Sequence, residues 1–157
     1  MNYAEKVAEK LFEKRLSIST TESCTGGLLS SKLTDISGSS AFVTLNLVTY
    51  ANEAKREMLS VKNETLDKYG AVSEECAYEM AKGLYELTKS DICVSTTGIA
   101  GPTGGTPEKP VGLMYSTIYT LGKYKTYKIN LDSTLQRTEI KEKFVENVLK
   151  NIYEFIN

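Results

Sequence analysis

The sequence predicts a three-layer α/β/α sandwich around a mixed, mostly parallel sheet with one antiparallel strand. Three observations carry that reading. Short β-branched segments alternate with amphipathic helical ones along the chain. Gly122 separates two alternating runs of hairpin length. The 157 residues, 41% hydrophobic and 25% charged, suit a single soluble domain over residues 1–157 with a core of its own.

Tyr3, Val7 and Leu11, with Ala4, Ala8 and Phe12 beside them, recur at helical spacing opposite Glu5, Lys6, Glu9 and Lys10, so the chain opens on an amphipathic helix. Leu16 to Thr21 alternates and is β-branched, a strand running into Ser23-Cys24-Thr25-Gly26-Gly27 and then a helix from Leu28 to Leu33. After the break at Gly38-Ser39-Ser40, residues Ala41 to Tyr50 read as a buried strand, and Asn52 is placed to cap a helix through Leu59. Asn63 to Tyr69 is a helical turn closed by Gly70. Ser73 caps a longer helix whose Cys76, Ala77, Met80, Ala81, Leu84 and Leu87 form one stripe, with Glu74 and Glu75 favourable in its first turn. Asp91 to Thr97 is a third strand, and it ends in a loop from Gly98 to Pro107 rich in glycine and proline. Val111 to Leu121 and Lys123 to Leu131 form the hairpin that supplies the antiparallel strand. Ile140, Phe144, Val148, Ile152 and Phe155 or Ile156 mark a closing helix. In such sheets, loops at the carboxyl ends of strands carry ligands, and the segments after Thr21 and Thr97 both fall there.

Composition narrows the chemistry. Nineteen basic and twenty acidic residues leave a net charge of −1, which offers no global attraction to nucleic acid or an anionic membrane. The absence of histidine removes Ser-His-Asp and Cys-His catalysis and His-ligated metals. Three widely spaced cysteines without a C-x-x-C pair indicate neither a disulfide framework nor a zinc knuckle, and a reducing compartment fits. Carboxylates are scattered, so no metal site is expected. With no apolar leader in the first ten residues and no membrane-length apolar run, a cytoplasmic location is expected.

Three segments hold candidate chemistry. In Thr20 to Gly27, hydroxyls and a thiol are packed against two glycines at the expected start of a helix, where free N–H groups can hold a phosphate or an oxyanion. A Ser/Thr cap on a tight turn has the same appearance. In Thr49 to Lys55, a lysine sits in the first turn of a helix, where the dipole favours the neutral amine while Glu53 and Glu57 oppose it. An exposed surface lysine is the alternative. Serving as a base at neutral pH requires a downward shift of roughly 2–3 pH units from about 10.4. In Thr97 to Pro107, glycines can bring backbone N–H groups to a ligand while Thr97, Thr103 and Thr106 add hydroxyls, although no P-loop or dinucleotide fingerprint is present. Cys24, with no histidine to activate it, reads as a structural thiol.

Together, T-E-S-C-T-G-G at 21–27, D-I-x-G-S-S at 35–40, V-T-Y-x-N-E-A-K at 48–55, G-A-V-S at 70–73 and G-I-A-G-P-x-G-G at 98–105 resemble the C-terminal domain of the CinA family. Its longer members carry an additional N-terminal domain, and its stand-alone members include nicotinamide-nucleotide amidohydrolases. The resemblance implies hydrolysis of nicotinamide mononucleotide to nicotinic acid mononucleotide and ammonia, with no cofactor and no metal, by a homodimer. It carries the nucleophile to Ser23 and the base to Lys55, with Tyr50 positioning or relaying the proton. Thr21, Cys24, Thr25, Gly26, Thr49, Asn52, Gly98, Ala100, Gly101 and Arg137 become candidate substrate contacts, Arg137 for the phosphate. Backbone N–H groups near Cys24 to Gly26 would hold the oxyanion. Two departures stand out. Many members have Arg-Gly where this sequence has Leu45-Asn46, and a second arginine where it has Lys141. They leave a catalytically silent nucleotide-binding or regulatory module as the alternative reading. The expected partner is a small nucleotide, with no nucleic acid and no membrane.

Overall fold

The computed structural model describes residues Met1–Asn157, organised by one five-stranded sheet. Its strands are β1 (Ile18–Glu22), β2 (Val43–Val48), β3 (Ile92–Gly98), β4 (Leu113–Thr120) and β5 (Lys123–Asn130), in spatial order β2-β1-β3-β4-β5. β1 pairs parallel to both β2 and β3, β4 antiparallel to β3, and β5 antiparallel to β4, so β4 alone runs against the other four.

The helices are α1 (Tyr3–Lys14), α2 (Leu28–Thr34), α3 (Asn52–Leu59), α4 (Asn63–Tyr69), α5 (Glu74–Thr88) and α6 (Arg137–Ile156). The two-residue period of a strand sends neighbouring side chains to opposite faces. Val94 therefore joins Ile18, Ile92 and Ile118 under α1, α2 and α6, while Cys93 packs with Leu59, Met80 and Leu84 of α3 and α5. That division makes the three layers. Asn2 and Glu5 start α1 with reciprocal side-chain caps, and Ser73 accepts the Cys76 amide to start α5, as its sequence indicates. No helix is long and apolar enough to cross a membrane.

Several local expectations are corrected. Asn52 is the first residue inside α3 rather than its cap, since Ala51 occupies that position and no side chain caps the helix. β2 is shorter than Ala41 to Tyr50 and only partly buried, because it forms a sheet edge and Ser39–Ala41 close into a 3₁₀ turn before it. Phe12 and Leu87 continue their helical stripes in sequence but lie more than half exposed, beyond the width of the buried face.

The parallel strands β1, β2 and β3 all deliver their carboxyl ends to the same edge of the sheet. The segments following Glu22, Val48 and Gly98 meet there, joined by the first turn of α6.

Candidate active site

A cleft of about 250 Å³ opens at this edge, with Ser23, Lys55, Tyr50, Gly98, Ala100 and Arg137 among its walls. Ser23 is the first residue beyond β1. Its amide donates to the Thr96 carbonyl at 3.1 Å, which continues the β1–β3 pairing by one residue and fixes where its side chain emerges.

Lys55 enters from the opposite side of the cleft. Its amide donates to the Ala51 carbonyl within α3, and the helix turns its side chain inward to 1% exposure. Nζ donates to Ser23 Oγ at 3.1 Å and to the Tyr50 carbonyl at 2.8 Å. Glu53 and Glu57, which the sequence sets against a neutral amine, are exposed and form no ion pair with it. Burial holds the Lys55 amine below the usual lysine range, opposed by the neighbouring sulfurs of Cys76 and Cys24. Those sulfurs oppose it only as thiolates. Burial pushes the Cys24 thiol up to about 12 and the Cys76 thiol up to about 11, so both are neutral near pH 7. The Cys24 thiol is correspondingly unsuited to nucleophilic attack.

Tyr50 is used differently at its two ends. Its backbone carbonyl orients Lys55 and lies 3.5 Å from Ser23 Oγ, whereas its exposed phenol accepts from Arg137 Nη2 at 3.1 Å. A relay through the phenol is therefore not the arrangement here. Arg137 Nη1 donates to the Gly101 carbonyl at 2.7 Å, so one guanidinium ties the segment after β2 to the loop after β3. That loop approaches closely because of its glycines. A Cβ on Gly98 would lie 2.3 Å from the Met114 side chain, and one on Gly101, already at φ +75°, would lie 2.4 Å from Val111. Thr97 Oγ1 donates to the Ala71 carbonyl at 2.8 Å, bracing the loop against the segment before α5.

The structure brings together Ser23, Cys24, Tyr50, Asn52, Lys55, Gly98, Ala100, Gly101 and Arg137 around the cleft. Thr21, Thr25, Gly26 and Thr49 do not line it. Thr21 and Thr49 share a 2.8 Å hydroxyl contact in the interior, and Thr25 bonds Glu22 and Thr96 beneath the site. The Gly26 amide is spent on the Ser23 carbonyl, although Gly26 lies beside Lys141, whose Nζ would be 3.5 Å from an added Cβ. The start of α2 is likewise no open anion site, because the Leu29 and Ser30 amides donate to the Glu22 carboxylate. Residues the sequence did not single out are Glu22 and the apolar wall residues Val72 and Ile99. A lone acid closing a strand otherwise made of Ile, Ser and Thr was the available signal for Glu22.

The model of the CinA C-terminal domain matches residues 1–156. The chain belongs to the CinA family. A CinA-like protein of Chloroherpeton thalassium is 47% identical, the match covering 100% of this chain and 38% of that protein. The chain spans about a third of the length of the curated relatives it matches. Among solved structures, the competence/damage inducible protein CihA from Agrobacterium tumefaciens is 38% identical with a TM-score of 0.92, covering 100% of this chain and 98% of that one. A CinA superfamily protein from Klebsiella pneumoniae 700603 is 32% identical with a TM-score of 0.93, covering 99% and 98%. In this CinA domain the Leu45-Asn46 departure falls within β2, where Asn46 Oδ1 accepts from Thr20 Oγ1 at 2.7 Å.

Proposed function

We propose that this chain is an amidohydrolase that converts nicotinamide mononucleotide to nicotinic acid mononucleotide and ammonia. The observation that carries the reaction class is the buried Ser23–Lys55 contact at 3.1 Å. The substrate and a homodimeric state follow from the family resemblance, and a cytoplasmic location fits the three free, buried cysteines.

The chemistry follows from the donors and acceptors. In the structure Lys55 Nζ donates to Ser23 Oγ; for reaction a neutral Lys55 keeps one N–H on the Tyr50 carbonyl and turns its lone pair, in place of that second N–H, to the Ser23 hydroxyl proton. Ser23 Oγ then bonds to the carboxamide carbon, and the oxyanion forms against the amide of Cys24, which borders the cleft and is not spent within the protein. Collapse breaks the C–N bond as Lys55 returns its proton to the departing ammonia, leaving an ester on Ser23. Water, deprotonated by the same amine, attacks that ester, and as the Oγ–carbon bond breaks the Lys55 ammonium returns the proton to Ser23 Oγ, releasing the acid and restoring the dyad.

The reading is tested by ammonia release from nicotinamide mononucleotide across pH. Activity requires neutral Lys55, so kcat/KM is expected to rise with pH along a limb lying below the ordinary lysine value of about 10.4. A profile flat from about pH 6 to 9 overturns Lys55 as the base.

A second reading, a nucleotide-binding module without turnover, draws support from the departures at Leu45-Asn46 and Lys141, and Arg137 here bonds Gly101 and Tyr50 rather than standing free for a phosphate. Saturable binding without ammonia release would establish it. If Arg137 instead holds the phosphate, Arg137→Ala is expected to raise KM roughly tenfold with kcat changed less, as loss of one charge-assisted contact implies. An unchanged KM removes Arg137 from the substrate contacts.

A further inference from the structure

Glu22 ends β1 immediately before Ser23 and is 0% exposed, yet no cation pairs with it. A buried carboxylate is retained only where hydrogen bonds replace its water. Here they come from a single short segment. Oε1 accepts from Thr25 Oγ1 at 2.6 Å and from the Leu29 amide at 2.8 Å, while Oε2 accepts from the Ser30 amide at 3.0 Å and the Ser30 hydroxyl at 2.5 Å. The carboxylate thus grips the middle of the turn and the first residues of α2 together. It replaces the missing cap of that helix, since Gly27 at the N-cap position has no side chain to offer. Thr25 passes the grip on to β3 through a 2.8 Å contact with Thr96, whose carbonyl also receives the Ser23 amide.

Resting on the serine–lysine reading above, we infer that Glu22 is a positioning residue, a buried carboxylate clamp that sets the Ser23 turn so that Oγ meets Lys55. Ser23 lies between two fixed points, the Glu22 backbone in β1 and the Thr25–Ser30 segment that the Glu22 side chain holds. Gly26 and Gly27, at φ +60° and +104°, let the chain reverse between them. Loosening this clamp displaces the nucleophile without touching the base. Glu22 is not among the groups that shift the Lys55 amine, so its loss should leave the alkaline limb where it is. Misplacement of a reacting atom by about 1 Å costs roughly a hundredfold in rate.

The experiment compares the full chain with Glu22→Gln, which keeps the shape but loses the acceptor facing Ser30, and Thr25→Val, which removes one donor. Both are read by kcat, KM and pH profile on nicotinamide mononucleotide and by amide hydrogen exchange. Glu22→Gln is expected to lower kcat roughly ten- to a hundredfold with KM within about threefold and the limb unmoved, and to speed exchange of the 24–30 amides about tenfold. Thr25→Val should show the same split at smaller size, and it decides the matter if Glu22→Gln does not fold. A kcat within about twofold of the parent, or a loss confined to KM, overturns the clamp. Should the parent chain release no ammonia, the amidohydrolase reading fails by itself and exchange decides the clamp. Faster exchange confined to residues 24–30 supports it, and unchanged exchange overturns it.

Discussion

Replacing Lys55 with methionine is expected to end turnover and at the same time to stabilise the fold. The lysine is 1% exposed and burial lowers its pKa, so the folded chain binds its proton less readily than the unfolded chain does. Between its depressed folded value and the unfolded value of about 10.4, the unfolded state carries more protons, and stability of the parent chain rises with pH across that window. Below the window the penalty is present in full. Methionine fills a similar volume without a charge to desolvate, but it forfeits the contacts to Ser23 and the Tyr50 carbonyl. The expected net gain is about 1 kcal/mol near neutral pH, or roughly 2–4 °C in melting temperature for a chain of this size. The difference between variant and parent should shrink as pH rises. Thermal melts at several pH values check this directly, and a variant less stable than its parent at pH 6 to 7 would show that the amine is not held at a cost.

Ser23→Ala is the second large effect. Oγ is the only atom removed, and its protein contacts are Lys55 Nζ and the Tyr50 carbonyl, both within the reacting group. Loss of a nucleophile in a cooperating pair typically removes at least a thousandfold in kcat. Substrate affinity should stay within about threefold, since nothing that shapes the loop after β3 or orients Arg137 depends on this hydroxyl. Calorimetric titration with nicotinamide mononucleotide measures the binding, and ammonia release measures the rate. Near-normal kcat in the variant would sink the serine mechanism, whereas loss of binding along with rate would mean that Ser23 holds the substrate.

How much of this was readable before folding differs between the scaffold and the site. The hairpin at Gly122, the Ser73 cap and the alternation of strands with helices are local signals, and all appear at the expected positions. β2 was harder to read. Val43–Val48 is as apolar as an interior strand, and only the sheet order makes it an edge. The wall residues Ser23, Tyr50, Lys55 and Gly98 lie in motifs conspicuous by composition, but Thr21 and Thr49 sit in those same motifs and face each other inside the protein. Strand alternation sends adjacent residues to opposite sides, so membership of a motif does not give direction.

Absence of histidine, near-zero net charge and hydroxyls beside glycines are properties of the chain alone, and they determined that any base here would have to be something other than imidazole. They could not decide whether Lys55 is a solvated surface cation or a buried amine. Its fate depends on α3 laying that one face against α5 and on the Tyr50 carbonyl arriving at 2.8 Å from a different segment. Desolvation is a property of a position in three dimensions, because it counts the water excluded by residues distant in the chain. The same holds for Glu22, whose charge is tolerated only because a turn and the first residues of a helix close around it.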